Sequence, residues 1–178
     1  MSRTSESIES RQPAGQKGGP FPLSPTQAGM LFHSLYAPNS GVYFEQIICR
    51  IDGALDVHLF REAWQHVVER QEILRTSFLW EGLAKPVQIV HATVTLPFQQ
   101  LDWRGLDRVE QERLLTAFAS NDRAAGFVLS AAPLTRIALI RLADSAYQFI
   151  WSNYHALLDG WSQSLVLKQV FTAYQTLS

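Results

Sequence analysis

The stretch Tyr147-Gln148-Phe149-Ile150-Trp151-Ser152-Asn153-Tyr154-His155-Ala156-Leu157-Leu158-Asp159-Gly160-Trp161-Ser162 changes character along its length. Tyr147 to Trp151 is dense in aromatic residues and suits a buried strand. From Ser164 to Leu177 the apolar residues Leu165, Leu167, Val170, Phe171, Tyr174 and Leu177 recur with a helical period. Between strand and helix lies a short loop carrying His155, Asp159 and Gly160. Loops gripped by rigid elements on both sides are where folds place chemistry. Taken alone, H-x-x-x-D-G also has a plain structural reading. Asp159 would then cap the following helix, and His155 would be a hydrogen-bonded core histidine.

Upstream, Leu134 to Leu142 reads as a strand, turning at Ala143-Asp144-Ser145 into the aromatic one. Asp107 to about Arg123 is a helix carrying Val109, Leu114, Leu115 and Phe118. Arg75 to Trp80 and Val87 to His91 form a hairpin around Glu81-Gly82-Leu83, and Leu96 to Leu101 is a further strand. Asp56 opens a helix to about Arg70, with Leu59, Phe60, Ala63, Trp64, Val67 and Val68 on one wide apolar face and His58 and His66 off it. Val42 to Ile51 is a strand closed by the turn Asp52-Gly53. Ser24 caps a first helix that runs to about Leu35, with Met30, Leu31 and Leu35 as apolar positions. Pro25 sits at its first helical position, Gln27 completes a capping box, and His33 is a surface or groove residue. Losing that cap costs about 1 kcal/mol. The turn cluster Ala37 to Gly41 ends this helix. Helices and strands thus intermix, which implies an α/β sandwich with a mixed sheet.

The chain has 178 residues, 47% of them hydrophobic and 17% charged, with net charge −1. That is enough for one domain with a real core. The balanced charge gives no electrostatic case for nucleic acid. No apolar run is long enough to span a membrane, and Met1 to Gly19 has no apolar segment of the secretory kind. The single cysteine, Cys49, excludes an intramolecular disulfide framework and fits a reducing cytoplasm. Its apolar strand marks it as a buried structural thiol. Residues 1–20 are polar and Gly-rich and are expected to form a disordered lead-in. The five histidines have no Cys or His partners at ligand spacing, so no metal is expected.

Three stretches lie in order along this framework. Leu23-Ser24-Pro25-Thr26-Gln27-Ala28-Gly29-Met30-Leu31-Phe32-His33 resembles the opening motif of condensation domains of nonribosomal peptide synthetases. Arg70-Gln71-Glu72-Ile73-Leu74-Arg75-Thr76-Ser77-Phe78 resembles their second motif, R-H-E-x-L-R-T-x-F, with Gln71 in place of the usual His. Tyr154-His155-Ala156-Leu157-Leu158-Asp159-Gly160 resembles their active-site motif, H-H-x-x-x-D-G, with Tyr154 at the first histidine. The resemblance implies a chloramphenicol acetyltransferase-like lobe over residues 21–178. It implies that this is the N-terminal lobe of a two-lobed domain, the second lobe and its motifs being absent.

By that resemblance the chemistry is amide formation between aminoacyl or peptidyl thioesters held on phosphopantetheine arms of donor and acceptor carrier domains. No cofactor is bound directly. His155, Asp159 and Gly160 are the candidate catalytic residues, with Tyr154, Trp161 and Ser162 along the substrate channel. The Gly160 backbone N–H, at a helix start, is placed to meet a developing oxyanion. Asp159 braces the loop, and a braced carboxylate calls for an arginine: Arg70 and Arg75 are the candidate ion-pair partners within this chain, the alternatives being that each serves only its own strand and that the partner lies in the second lobe. The further partners are the second lobe and downstream synthetase domains. Because Met1 opens the chain, the donor carrier is expected on another polypeptide. Two other readings stand beside this one: a non-catalytic lobe that only docks carrier proteins, and part of an epimerisation domain. A cyclising domain is disfavoured because its motif places Asp where Tyr154 stands.

Overall fold

A computed structural model describes residues 19–38 and 40–178. Most of the expected lead-in, residues 1–18, lies outside the described residues.

The aromatic strand is the centre of the molecule. Strand β7 (Ala146–Tyr154) is buried along its whole length. It lies inside a four-stranded sheet of order β2-β7-β6-β5. Its neighbours β2 (Phe44–Asp52) and β6 (Thr135–Ala143) are both antiparallel to it, and β5 (Phe98–Asp102) joins β6 in parallel. The sheet is therefore mixed, as expected. A strand covered on both faces has no solvated side, so β7 buries its aromatic and aliphatic residues together with Gln148, Ser152 and Asn153. Tyr147, Phe149 and Trp151 face the main core, whereas Ile150 joins a second, smaller cluster on the opposite face.

The main core is closed by two helices, α2 (Val57–Arg70) and α4 (Gly160–Leu177), which pack on each other. Asp56 caps α2 by accepting the Leu59 N–H at 3.0 Å. The buried face of α2 is Phe60, Ala63, Trp64, Val67 and Val68, as the apolar period predicts. Trp64 meets Trp151 edge-on at 5.0 Å and stacks on Phe149 at 5.8 Å. Aromatic pairs at such distances add about 0.5–1.5 kcal/mol each beyond area burial. Across the other face runs α3 (Arg108–Ala125), capped by Asp107. Its Leu115 and Phe118 pack on Ala138, Ile140 and Ile150, while Val109 is exposed.

A second, three-stranded sheet has the order β1-β4-β3. It comprises β1 (Phe21–Pro22), β3 (Thr76–Leu79) and β4 (Val87–Val90). The hairpin β3–β4 turns through Gly82, whose φ of +70° suits glycine. Helix α1 (Pro25–Tyr36) starts with the full capping box between Ser24 and Gln27.

Three expectations change in detail. Helix α4 begins at Gly160, as expected of a helix start there, with Asp159 as its cap and Gly160–Gln163 in its first turn, and the changes concern exposure. Its buried positions are Gln163, Val166 and Val170, whereas Leu165, Phe171 and Leu177 are exposed. Leu35 of α1 is likewise exposed and only Leu31 of that helix is fully buried. Cys49 is exposed rather than buried. It sits on β2, the edge of its sheet, where side chains are covered from fewer directions. What burial the thiol has pushes its pKa up, away from reactivity.

Candidate active site

His155 follows directly on β7, at the end of the central strand. Its backbone N–H donates to the Tyr43 carbonyl at 2.8 Å. Tyr43 reaches that position with φ +66°, a left-handed conformation unusual for a non-glycine residue. The Tyr43 ring lies parallel to the imidazole at 6.4 Å between centroids. On its other side Tyr43 stacks with His33 of α1, and its hydroxyl is 2.9 Å from His33 Nδ1.

The imidazole has one buried edge and one open edge. Nδ1 is inaccessible to solvent, yet 31% of the side chain is exposed, so the accessible part of the ring lies away from Nδ1. Glu45 Oε1 stands 2.8 Å from Nδ1, close enough for an ion pair but off the direction of an aligned hydrogen bond. The other Glu45 oxygen accepts from Gln163 Nε2 of α4, and the same amide nitrogen lies 3.4 Å from Asn153 Oδ1. Glu45, Tyr43 and Gln163 are not legible as site residues from motif reading. The available signal was faint: Glu45 is in phase with Tyr43 and Ile47, which pack on the core, so an acid sits on the inward side of a strand.

Asp159 is exposed and caps α4, its Oδ1 accepting the Ser162 N–H at 2.7 Å. The hydrogen bonds with Ser162 hold its pKa below the ordinary aspartate value, with a last, small contribution from His155. The arginine partners expected for it do not reach it. Arg70 is exposed at the end of α2 and enters no ion pair among the described residues. Arg75 is buried, and its guanidinium donates to the His91 carbonyl and, at 3.1 Å, to the Ala92 carbonyl. Helix-start N–H groups already satisfy the carboxylate, so no guanidinium is needed in this lobe.

Gly160 opens α4 on the same exposed loop, and a Cβ added there would meet open space. Trp161 is 78% exposed, and Ser162 is half-buried. Tyr154 differs from its expected channel role. It is 3% exposed, packs edge-on against Phe78 and hydrogen-bonds Ser34 of α1 at 2.9 Å. Burial raises its phenol pKa. Its position in β7 turns the ring into the core, where it ties strand to helix.

The three motifs converge around this loop. Gln27 of the first donates to the Ala156 carbonyl at 3.2 Å. Gln71 of the second, at the end of α2, donates to Gln169 of α4 at 2.7 Å, and Leu74 and Phe78 are fully buried. A concavity of about 660 Å³ lies between α2 and α4 and does not include His155. Among the described residues no three His, Cys, Asp or Glu side chains gather as a metal site, and no helix is long and apolar enough to cross a membrane.

Known proteins resemble this chain in sequence and in fold. The family model described as Condensation domain matches residues 17–178. The chain is 48% identical over 158 residues to a linear gramicidin synthase protein of Brevibacillus parabrevis, covering 89% of this chain and 2% of that protein. It is 38% identical over 169 residues to bacitracin synthase 1 of Bacillus licheniformis, covering 95% of this chain and 3% of the relative. Among solved structures, a variant of the starter condensation domain of rhizomide synthetase superposes with a TM-score of 0.81 at 21% identity, over 90% of this chain and 38% of that one. The first condensation domain of the calcium-dependent antibiotic synthetase gives 0.79 at 22% identity, again over 90% and 38%. The fold is thus that of part of a condensation domain, and the match over residues 17–178 establishes that the chain belongs to the condensation-domain family of nonribosomal peptide synthetases.

Proposed function

We propose that this chain is the N-terminal lobe of a domain that joins two carrier-bound thioesters through an amide bond. The observation that carries the proposal is His155: an imidazole at the end of the central strand, buried at Nδ1 and open on its other side, beside the exposed start of α4. The acceptor α-amine attacks the donor thioester carbonyl. The tetrahedral adduct loses a proton to His155 and expels the donor thiolate, which takes up a proton. Asp159 holds the helix start in place, and the Gly160 N–H faces the developing oxyanion. The open space at the Gly160 Cα lets substrate approach the backbone closely. Trp161 and Ser162 flank the path of the arms.

Magnitudes assign His155 a share of the work. A peptide α-amine has a pKa of about 7.7–8.0, so freeing it near neutral pH costs only about 1 kcal/mol. Proton transfer by a positioned base is worth ~10²–10⁴-fold. Orientation supplies up to ~7–11 kcal/mol, and this requires a second lobe to hold the donor against the amine. The partners are accordingly donor and acceptor carrier domains with phosphopantetheine arms, a second lobe and downstream synthetase domains. The setting is the cytoplasm, where loaded carriers are made.

The test uses loaded donor and acceptor carrier proteins with the two-lobed domain containing this chain, reading amide product by mass spectrometry. Amide formation that falls ~10²-fold or more in His155→Ala is expected, with residues 1–178 alone giving no product. Full activity in His155→Ala would remove the catalytic assignment. Product from residues 1–178 at the two-lobed rate would remove the two-lobe requirement.

A further inference from the structure

We infer that Glu45 is a positioning residue for His155, fixing the proton of the neutral imidazole on Nδ1 so that the Nε2 lone pair faces the open side of the lobe. The inference rests on the catalytic role proposed above for His155, and it concerns a residue on β2 that belongs to none of the three motifs.

The geometry has three parts. Glu45 Oε1 is 2.8 Å from Nδ1, and His155 is the only cation-forming side chain at ion-pair distance from this carboxylate among the described residues. The carboxylate is itself oriented. Its second oxygen accepts from Gln163 Nε2, and Gln163 is buried at 8% exposure between Glu45 and the fully buried Asn153. β-sheet register places Glu45 opposite Asn153, two residues before His155 on β7, so strand pairing brings acid and imidazole to the same face. The third part is the grip of Tyr43 on the rest of the histidine, through its carbonyl and its parallel ring. A left-handed non-glycine residue such as Tyr43, at φ +66°, persists only where its surroundings enforce it.

Chemistry follows from that placement. A carboxylate accepts hydrogen bonds and donates none, so the proton between it and a neutral imidazole resides on Nδ1. Nε2 is left as the base. When its lone pair takes the proton of the tetrahedral adduct, the ring becomes a cation beside the Glu45 carboxylate. The Nδ1–Glu45 contact tightens as that charge appears, a change apo geometry does not display. The amide of Gln163 imposes a further condition. With Glu45→Gln, the new amide must direct its NH₂ either at the Gln163 donor or at the imidazole N–H, so one donor–donor clash arises unless Gln163 turns over.

The test combines kinetics with a spectroscopic signature. In the two-lobed domain, Glu45→Ala is expected to lower kcat about 10- to 100-fold with carrier KM within about twofold. In the His155→Ala background the same change is expected to have no further effect, because the two residues act as one unit. Equal losses in both backgrounds, or a Glu45→Ala enzyme within twofold of the parent, would overturn the inference. Nitrogen-15 spectra of the folded chain report the tautomer directly: the parent is expected to carry the neutral proton on Nδ1, and Glu45→Ala to show mixed tautomers. Should His155→Ala retain full activity, the catalytic reading fails, and the spectra alone decide the coupling. An Nε2-protonated ring in both proteins would then overturn it. If Glu45→Ala does not fold, Glu45→Leu, which fills the same space with no acceptor, takes its place in both measurements, with the same outcomes deciding.

Discussion

Asp159 illustrates how one carboxylate orders a helix start. Its side chain accepts the Ser162 N–H at the start of α4, and among the described residues it pairs with no arginine. Asn makes the same hydrogen bond and Ala does not. Asp159→Asn is therefore expected to keep the thermal midpoint of the parent, whereas Asp159→Ala lowers it by about 2–4 °C in circular-dichroism melts. Equal melting of the alanine variant and the parent would show that the cap does not hold the loop. The pH dependence has a definite sign. The folded pKa is depressed, so the carboxylate's contribution is present above the ordinary aspartate range and is lost as pH falls through the lower folded value.

Among the α-helices of the described residues, α3 is the one with no buried residue. Side chains of another kind fasten it. Asp122 of α3 accepts from Arg136 of β6 at 2.5 Å, from Ser152 of β7 at 2.5 Å and from Gln46 of β2 at 2.7 Å. One carboxylate thus bonds three adjacent strands. The Arg136 guanidinium also donates to the Gly126 carbonyl at 2.6 Å and lies 4.4 Å from the centre of the Phe127 ring. With side-chain exposures of 12% for Asp122 and 24% for Arg136, the pair is shielded but not sealed. Asp122→Ala leaves that arginine uncompensated and is expected to cost about 3 kcal/mol in urea unfolding, near the low end for a broken buried pair. Arg104→Ala removes ion pairs with Asp102 and Asp144 that are open to water and is expected to change little. A loss for Asp122→Ala no larger than that for Arg104→Ala would show that α3 is held by its apolar face alone.

At the scale of the whole lobe, the small sheet carries a pH sensitivity. His91 follows β4, with Nε2 2.8 Å from the Ser77 hydroxyl and the buried Arg75 bonded to its own carbonyl. Burial first, and the Arg75 charge second, lower the His91 pKa. The unfolded chain, with an ordinary histidine pKa of about 6.5, then binds a proton at pH values where the folded lobe does not. Stability accordingly rises with pH between the lowered folded value and about 6.5, and falls as pH drops through that window. His91→Gln retains a hydrogen-bonding side chain but does not titrate. It is expected to flatten the slope of thermal midpoint against pH between about 5 and 7 relative to the parent. Parallel slopes for the two proteins would assign the dependence to other groups.

Local pattern was enough for the elements, because their causes are local. The caps at Ser24, Asp56 and Asp107, the turn at Gly82, the apolar face of α2 and the aromatic run Tyr147 to Trp151 of β7 each depend on neighbours a few residues away. His155, Asp159 and Gly160 were legible for the same reason, since their motif lies within one loop. Exposure along α4, α1 and β2 was less legible. Whether Leu165, Leu35 or Cys49 meets another layer depends on which elements stack there, and periodicity does not say. Side-chain partnership was legible least of all. Arg75 was read as a partner of Asp159 because both suit an ion pair, but folding carried Arg75 to the end of β4 instead. Glu45 meets His155 across 110 positions of chain, through a strand register that fixes the contact only once β2 lies beside β7. Sequence by itself determined the elements, the family and the loop that carries the imidazole. Tertiary structure alone decided what holds that imidazole, because hydrogen-bond partners are chosen by proximity in space, and no local propensity encodes proximity between distant strands.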